Sequence, residues 1–182
     1  ITGSSAEVTE ALVTTDTLVV ASTATATISD AAETDIAATV LSAIGAKTSG
    51  TVTVTNAIDI TGTTAEVTAA LVTADTLVVA GTATVTITDN PSISDLNAIA
   101  AKTSGVVTAT LAADSLSNLG DLSTAGTDAI TITVNDAAEA DVTAANLASL
   151  GAKTSGTVTV SNAVASTGSS PEGTEALVTT DT

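Results

Sequence analysis

The chain contains no Phe, Tyr, Trp, Cys, Met or His, and its only cationic side chains are three lysines. Each absence closes off a class of function. Without Cys there are no disulfides and no thiolate metal sites, and without His or Cys the common nucleophile–base pairs are missing. Without aromatic rings, burial has to come from Val, Ile, Leu and Ala in thin layers, because ordinary cores draw heavily on large side chains. No apolar run approaches the roughly 20 residues that a membrane-spanning helix needs. Twenty acidic residues against three lysines leave a net charge of −17 over 182 residues. That charge repels phosphate backbones and anionic membranes, so nucleic acid is excluded as an expected partner. Low complexity and acidity also raise the question of disorder. Against it, 44% of residues are hydrophobic, only 13% are charged and just two are prolines, the reverse of a disordered composition.

What is present is repetition. Ala-Lys-Thr-Ser-Gly followed by Val and Thr occurs at Ala46–Val54, Ala101–Ala109 and Ala152–Val160, and it holds all three lysines, Lys47, Lys102 and Lys153. Ile1 to Asp30 matches Ile60 to Asp89 at a shift of 59 residues, including Asp16-Thr17-Leu18-Val19-Val20-Ala21 against Asp75-Thr76-Leu77-Val78-Val79-Ala80. Thr167 to Thr182 returns to Thr2 to Thr17 at a shift of 165. The chain starts at Ile1 rather than Met, shows no signal peptide and ends in the phase in which it began. It is therefore expected to be a fragment of a longer periodic chain, or a subunit that continues head to tail. The expected organisation is one continuous repeat array over 1–182, with approximate units 1–50, 51–105, 106–156 and 157–182.

Each long repeat reads as smaller strand-then-helix units. Val52 and Val54 alternate with Thr51, Thr53 and Thr55; Ala83, Val85 and Ile87 alternate with Thr82, Thr84, Thr86 and Thr88. Ile130, Ile132 and Val134 alternate with Thr131 and Thr133, and Val158 and Val160 with Thr157 and Thr159. Period-two alternation predicts strands with one buried face, centred near residues 26, 53, 86, 108, 132 and 159. Between them, Ile36/Val40/Ile44, Val67/Leu71, Ile93/Leu96/Ala100 and Val142/Leu147/Leu150 have helical spacing. Leu116, Leu119 and Leu122 form a less regular unit. Asp30-Ala-Ala-Glu33, Thr63-Thr-Ala-Glu66 and Asp136-Ala-Ala-Glu139 have capping-box spacing, and Ser170 precedes Pro171 as a cap before a first-turn proline. Parallel strands joined by short helical crossovers predict an α/β solenoid of repeating coils, with a parallel sheet on one side in leucine-rich-repeat-like geometry. The alternative is an all-β solenoid, since Thr and Val are poor helix formers.

Candidate chemistry is sparse. Lys47 with Ser49, or Lys102 with Ser104, could be drawn as a Ser–Lys pair, but its recurrence at every corner suits a turn, and no catalytic residue is expected. The lysines are expected to sit favourably at helix C-termini, and Gly50, Gly105 and Gly156 to supply the permissive backbone of a helix exit. Asp30, Asp89 and Asp136 end equivalent strands and are the candidate ligands for Ca²⁺, a hard ion that takes oxygen; the competing and favoured reading is that they cap helices. The glycine-rich nonapeptide of calcium-binding β-rolls is absent. Thr51, Thr53, Thr84, Thr86, Thr131, Thr133, Thr157 and Thr159 form a candidate surface-binding ladder for ice, calcium or glycan. No other cofactor is expected.

Ser94-Asp95-Leu96-Asn97-Ala98-Ile99-Ala100-Ala101-Lys102-Thr103-Ser104-Gly105 and Thr61-Gly62-Thr63-Thr64-Ala65-Glu66-Val67 resemble the repeats of giant extracellular surface and adhesin-like proteins of marine bacteria and cyanobacteria. The resemblance is one of composition and phrase, and it covers most of the chain. It implies an exported, extended, repetitive structural protein, at the cell surface or outside the cell, and it supplies no catalytic residues. Separately, the open ends of a coil stack make identical repeats the expected head-to-tail partner.

Overall fold

The computed structural model describes residues 1–14, 19–73 and 78–169; the Ser170–Pro171 cap lies outside them. It is an α/β fold of parallel sheets and short helices, which sets aside the all-β alternative. The chain divides into two units, Ile1–Asp89 with Ala98–Thr108, and Asn90–Asn97 with Ala109–Thr182.

The first unit carries β1 (Thr2–Gly3), α1 (Ser5–Leu12), β2 (Ala26–Ile28), β3 (Asp35–Ala37), α2 (Ala38–Gly45), β4 (Val52–Val54) and β5 (Asp59–Gly62). These are followed by α3 (Thr64–Val67), which widens into a π-helical turn over Thr68–Val72, and by β6 (Val78–Val79) and β7 (Thr84–Ile87). After α4 (Ile93–Ala100) comes β8 (Val107–Thr110), of which Val107–Thr108 belong to this unit. Strands β1, β2, β4 and β6 form one parallel sheet, in which Thr2 pairs with Thr27, Thr27 with Thr53 and Thr53 with Val79. Strands β3, β5, β7 and β8 form a second parallel row, with Ile36 against Ile60, Ile60 against Val85 and Val85 against Val107. The second unit contains α5 (Leu116–Leu119), β9 (Ala129–Val134), β10 (Asp141–Thr143), α6 (Ala144–Gly151), β11 (Val158–Val160) and β12 (Ala165–Thr167). There β9 pairs in parallel with β11, and β10 with β12.

All six predicted strand centres fall within strands, namely β2, β4, β7, β8, β9 and β11. Their apolar positions face inward as the alternation requires: Val52, Val54, Val85, Ile87, Ile130, Ile132 and Val134 are buried, while Thr53, Thr86 and Thr131 are exposed.

The helical spacing was partly misleading. Ile36 and Val142 lie in strands β3 and β10, and the residues turned inward from the following helices are Ala38, Leu41 and Ile44, and Ala144, Leu147 and Leu150. In α4 the pair turned inward is Leu96 with Ile99, while Ile93 and Ala100 are only half-buried. One strand per unit therefore becomes two where β2–β3, β4–β5, β6–β7, β9–β10 and β11–β12 follow each other. A three-residue strand such as Asp35-Ile36-Ala37, exposed–buried–exposed, offers one apolar residue and no alternation to read. Its isoleucine then falls by accident into the spacing of the adjoining helix.

Burial rests on aliphatic layers throughout. Ile28, Leu41, Ile44, Ile58 and Ile60 are fully enclosed in the first unit, and Leu119, Leu122, Ile130, Ile132 and Leu150 in the second. Several parallel neighbours align like with like, as Ile36, Ile60, Val85 and Val107 do, whereas Thr53 meets Val79 and Val142 meets Ser166. The short helices gain their stability from this packing, being too short to persist alone.

Candidate functional site

The repeated Lys-Thr-Ser-Gly corner is where the chain is tied to its own earlier residues. Thr48 is buried; its hydroxyl donates to the Ala24 carbonyl and accepts the Gly50 N–H at 3.0 Å. Ser49 donates twice to the Ser22 carbonyl, from its N–H at 2.7 Å and from its hydroxyl at 3.0 Å. The second corner repeats this arrangement. Thr103 donates to the Ala83 carbonyl and accepts the Gly105 N–H at 3.0 Å, while the Ser104 N–H and hydroxyl both reach the Gly81 carbonyl at 2.9 Å. In the third, the buried Thr154 hydroxyl lies 2.8 Å from the Ile130 carbonyl and 3.0 Å from that of Asp128, and it accepts N–H groups from Ile130 and Gly156 at 2.8 Å. Each corner is a staple in which one hydroxyl satisfies backbone groups on both sides.

The glycines serve that staple, which corrects the expectation of a permissive backbone. No glycine among the described residues has a positive φ. A Cβ on Gly50, Gly105 or Gly156 would instead collide with the backbone carbonyl of Ala24, Ala83 or Ile130. The lysine expectation is also altered. The Lys153 ammonium donates at 2.6 Å to the carbonyl of Gly120, the residue that closes α5, and so it serves a helix one segment earlier than its own.

The aspartates named as metal candidates are likewise ties. Asp30 accepts the Ser5 N–H at 2.5 Å and the Ser5 hydroxyl at 3.1 Å, at the first turn of α1. Asp89 accepts the Thr64 N–H at 2.7 Å and its hydroxyl at 2.6 Å at the start of α3, and Asp136 accepts the Leu116 N–H at 2.8 Å at the start of α5. They cap helices, but helices that precede them in the chain. Consequently Asp30-Ala-Ala-Glu33 and Asp136-Ala-Ala-Glu139 are not helix starts. They are turns ending in Glu33 and Glu139 at φ 63° and 64°, whose N–H groups donate at 2.8 Å to Ala57 and Ala163. The box at Thr63 and Glu66 forms as expected, and a second one forms at Ser4 and Glu7. Hydrogen bonds from the Thr64 hydroxyl and then its N–H hold Asp89 below its ordinary carboxylate pKa, while the Ser4 N–H and then its hydroxyl do the same for Glu7. Asparagines add a further tie that the sequence reading missed: Asn56 and Asn162 donate at 2.6 Å to the carbonyls of Asp30 and Asp136. Their recurrence after the same Val-Thr-Val phrase was the available signal.

The threonines of the candidate ladder do not share one row. Thr53 aligns with Thr2 and Thr27 in the sheet of β1, β2, β4 and β6, and Thr51 lies exposed just before β4. Thr86 aligns with Thr61 and Thr108, an exposed row on the other strands of that unit. Thr84 stands beside Asp59, to whose carboxylate its hydroxyl donates, and Asp59 is in register with Asp35. In the second unit Thr133 pairs with Thr159, and Thr131 and Thr157 lie two residues earlier on the same strands.

An open cleft of about 320 Å³ in the second unit is lined by Leu116, Ser117, Asn146, Ser149 and Lys153. Its one cation is already spent on the Gly120 carbonyl, and it holds no acid–base pair. Among the described residues no three acidic side chains gather closely enough to hold a metal ion, and no helix is long and apolar enough to cross a membrane.

Compared with family models, curated proteins and solved structures, the chain matches none.

Proposed function

We propose that this chain is a non-enzymatic structural repeat module, a stack of coils forming part of an extracellular fibre, surface layer or adhesin stalk, and that copies associate end to end. The observation that carries this reading is where the repeated polar residues spend their hydrogen bonds. Thr48, Thr103 and Thr154, Ser49 and Ser104, and Asp30, Asp89 and Asp136 all reach a segment roughly 20 to 30 residues earlier in the chain. A motif kept for catalysis would converge on one pocket; these residues are distributed one staple and one cap at a time. A coil stack presents an apolar layer wherever it stops, which a further repeat can cover. The resemblance of its phrases to giant surface-protein repeats is what supports an extracellular setting for such a stack. Imaging the concentrated protein for end-to-end particles tests the reading.

A second reading rests on the exposed Thr61, Thr86 and Thr108 row, a flat array of hydroxyls and methyls suited to ice or glycan. It predicts thermal hysteresis that Thr86→Tyr abolishes; a solution without hysteresis removes ice as the ligand.

A further inference from the structure

The internal repeats place equivalent segments in paired and unpaired settings within one chain. Val78 and Val79 pair with β4, in the register Val52 to Val78 and Thr53 to Val79, and Val78 is only 7% exposed. Their equivalents at the 59-residue shift, Val19 and Val20, belong to no strand among the described residues and are 48% and 89% exposed. The counterpart of β4 is β11, with Thr51-Val-Thr-Val-Thr-Asn-Ala57 repeated as Thr157-Val-Thr-Val-Ser-Asn-Ala163. Val52 and Val54 are buried between two neighbouring strands, whereas Val158 and Val160 are half-buried and β11 pairs only with β9 among the described residues. Each half of this pair lacks what its equivalent has.

A second pair shows the same deficit. Ile60 on β5 lies against Ile36 of β3 and is fully buried, while its equivalent Ile1 is 43% exposed. At the counterpart of β3, strand β10, the slot opposite Val142 is taken by Ser166. Strand β12 carries Ala165-Ser166-Thr167, exposed throughout, where β5 carries Asp59-Ile60-Thr61. Ile1, just before β1, is the repeat equivalent of the isoleucine that fills this position on β5, and Thr2–Ser5 shares Thr-Gly-Ser-Ser with Thr167–Ser170.

We infer that copies join by strand exchange: Ile1–Gly3 of a second copy replaces β12 on β10, setting Ile1 against Val142, and Val19–Val20 of that copy adds to the edge of β11 that no strand among the described residues covers, in the register Val19 to Val158 and Val20 to Thr159. The joint rests on the end-to-end reading above and names its contacts. It uses main-chain pairing for adhesion and alternate side chains for register, and it buries an isoleucine and a valine that the isolated chain exposes.

The test uses the full chain, which has no native Cys. In-register parallel residues lie about 4.8 Å apart, within disulfide reach. A Val20→Cys, Thr159→Cys double variant oxidised under assembling conditions is expected to form chains of disulfide-linked copies; Val20→Cys with Thr157→Cys, two residues out of register, is expected not to. Thr53→Cys with Val79→Cys, the same pairing within one chain, controls for geometry. Ser166→Ile gives β12 the missing isoleucine, so it should hold β10 closed and raise the concentration needed for assembly by roughly 10-fold or more. Assembly by sedimentation without the Val20–Thr159 cross-link, or unmoved by Ser166→Ile, overturns the exchange joint while leaving end-to-end association standing. A protein that stays monomeric at every concentration overturns both.

Discussion

At the residue scale, one threonine hydroxyl per corner does several jobs at once. Thr48 gives its proton to the Ala24 carbonyl and receives the Gly50 N–H, so removing the hydroxyl strands two backbone groups in a buried place. Thr48→Val keeps the volume and should cost about 1–3 kcal/mol in chemical unfolding, with Thr48→Ser recovering most of it. A Val variant as stable as the wild type would mean that the staple is incidental. Glu33 shows the opposite case, a residue held at φ 63° with its side chain in solvent. Left-handed backbone costs a residue with a Cβ about 1–2 kcal/mol, so Glu33→Gly is expected to gain about 0.5–1 kcal/mol after the unfolded-state cost of glycine. Glu33→Ala, which keeps the Cβ, should gain nothing.

At this scale the sequence was legible in kind and misread in direction. The Asp residues and Lys153 were recognised as serving helix ends, whereas the glycines were not read rightly, since the corner uses their small size and not their backbone freedom. Reading along one chain, however, assigns a cap to the helix that follows it. In parallel layers the nearest helix N-terminus belongs to the preceding segment, and Asp89 reaches back 25 residues to Thr64. Only the equal spacing of Asp30 from Ser5 and Asp89 from Thr64 carried that information.

At the element scale, alternation of Val or Ile with Thr located strands β4, β7 and β9 because each repeats its contrast at least once. Strands β3 and β10 were hidden because three residues with one apolar centre look the same as the edge of an amphipathic helix. Helix stability here depends on carboxylates borrowed from neighbouring segments, which gives it a pH signature. Asp89 is held below its ordinary value of 3.8, so its contribution is complete at pH values above 3.8 and is lost as pH falls through the lowered folded-state value. The melting difference between wild type and Asp89→Asn should therefore be largest near neutrality and shrink below about pH 4. A difference that grows on acidification would contradict the cap. Comparing the two proteins at each pH also removes the common effect of the chain's net charge of −17 relaxing as its carboxylates protonate.

At the scale of the whole molecule, the proposed assembly would draw on the same physics as stability. The proposed stack has no internal reason to stop, and Ile1, Val19, Val20, Val158 and Val160 are each more exposed than an equivalent that has a neighbouring strand, although Val79 remains 52% exposed beside β4. Strong negative charge tempers this by keeping copies apart until ionic strength screens it, with a Debye length of about 8 Å at physiological salt. Under the proposed reading function is geometric and asks nothing of a pocket. The most direct test is to image the concentrated, salt-screened protein and record diffraction from aligned assemblies. The account predicts end-to-end particles whose strands stack along the long axis at the roughly 4.8 Å spacing of neighbouring β-strands, continuous across the joints. A monodisperse monomer at all concentrations, or assemblies with that spacing across the axis, would contradict it.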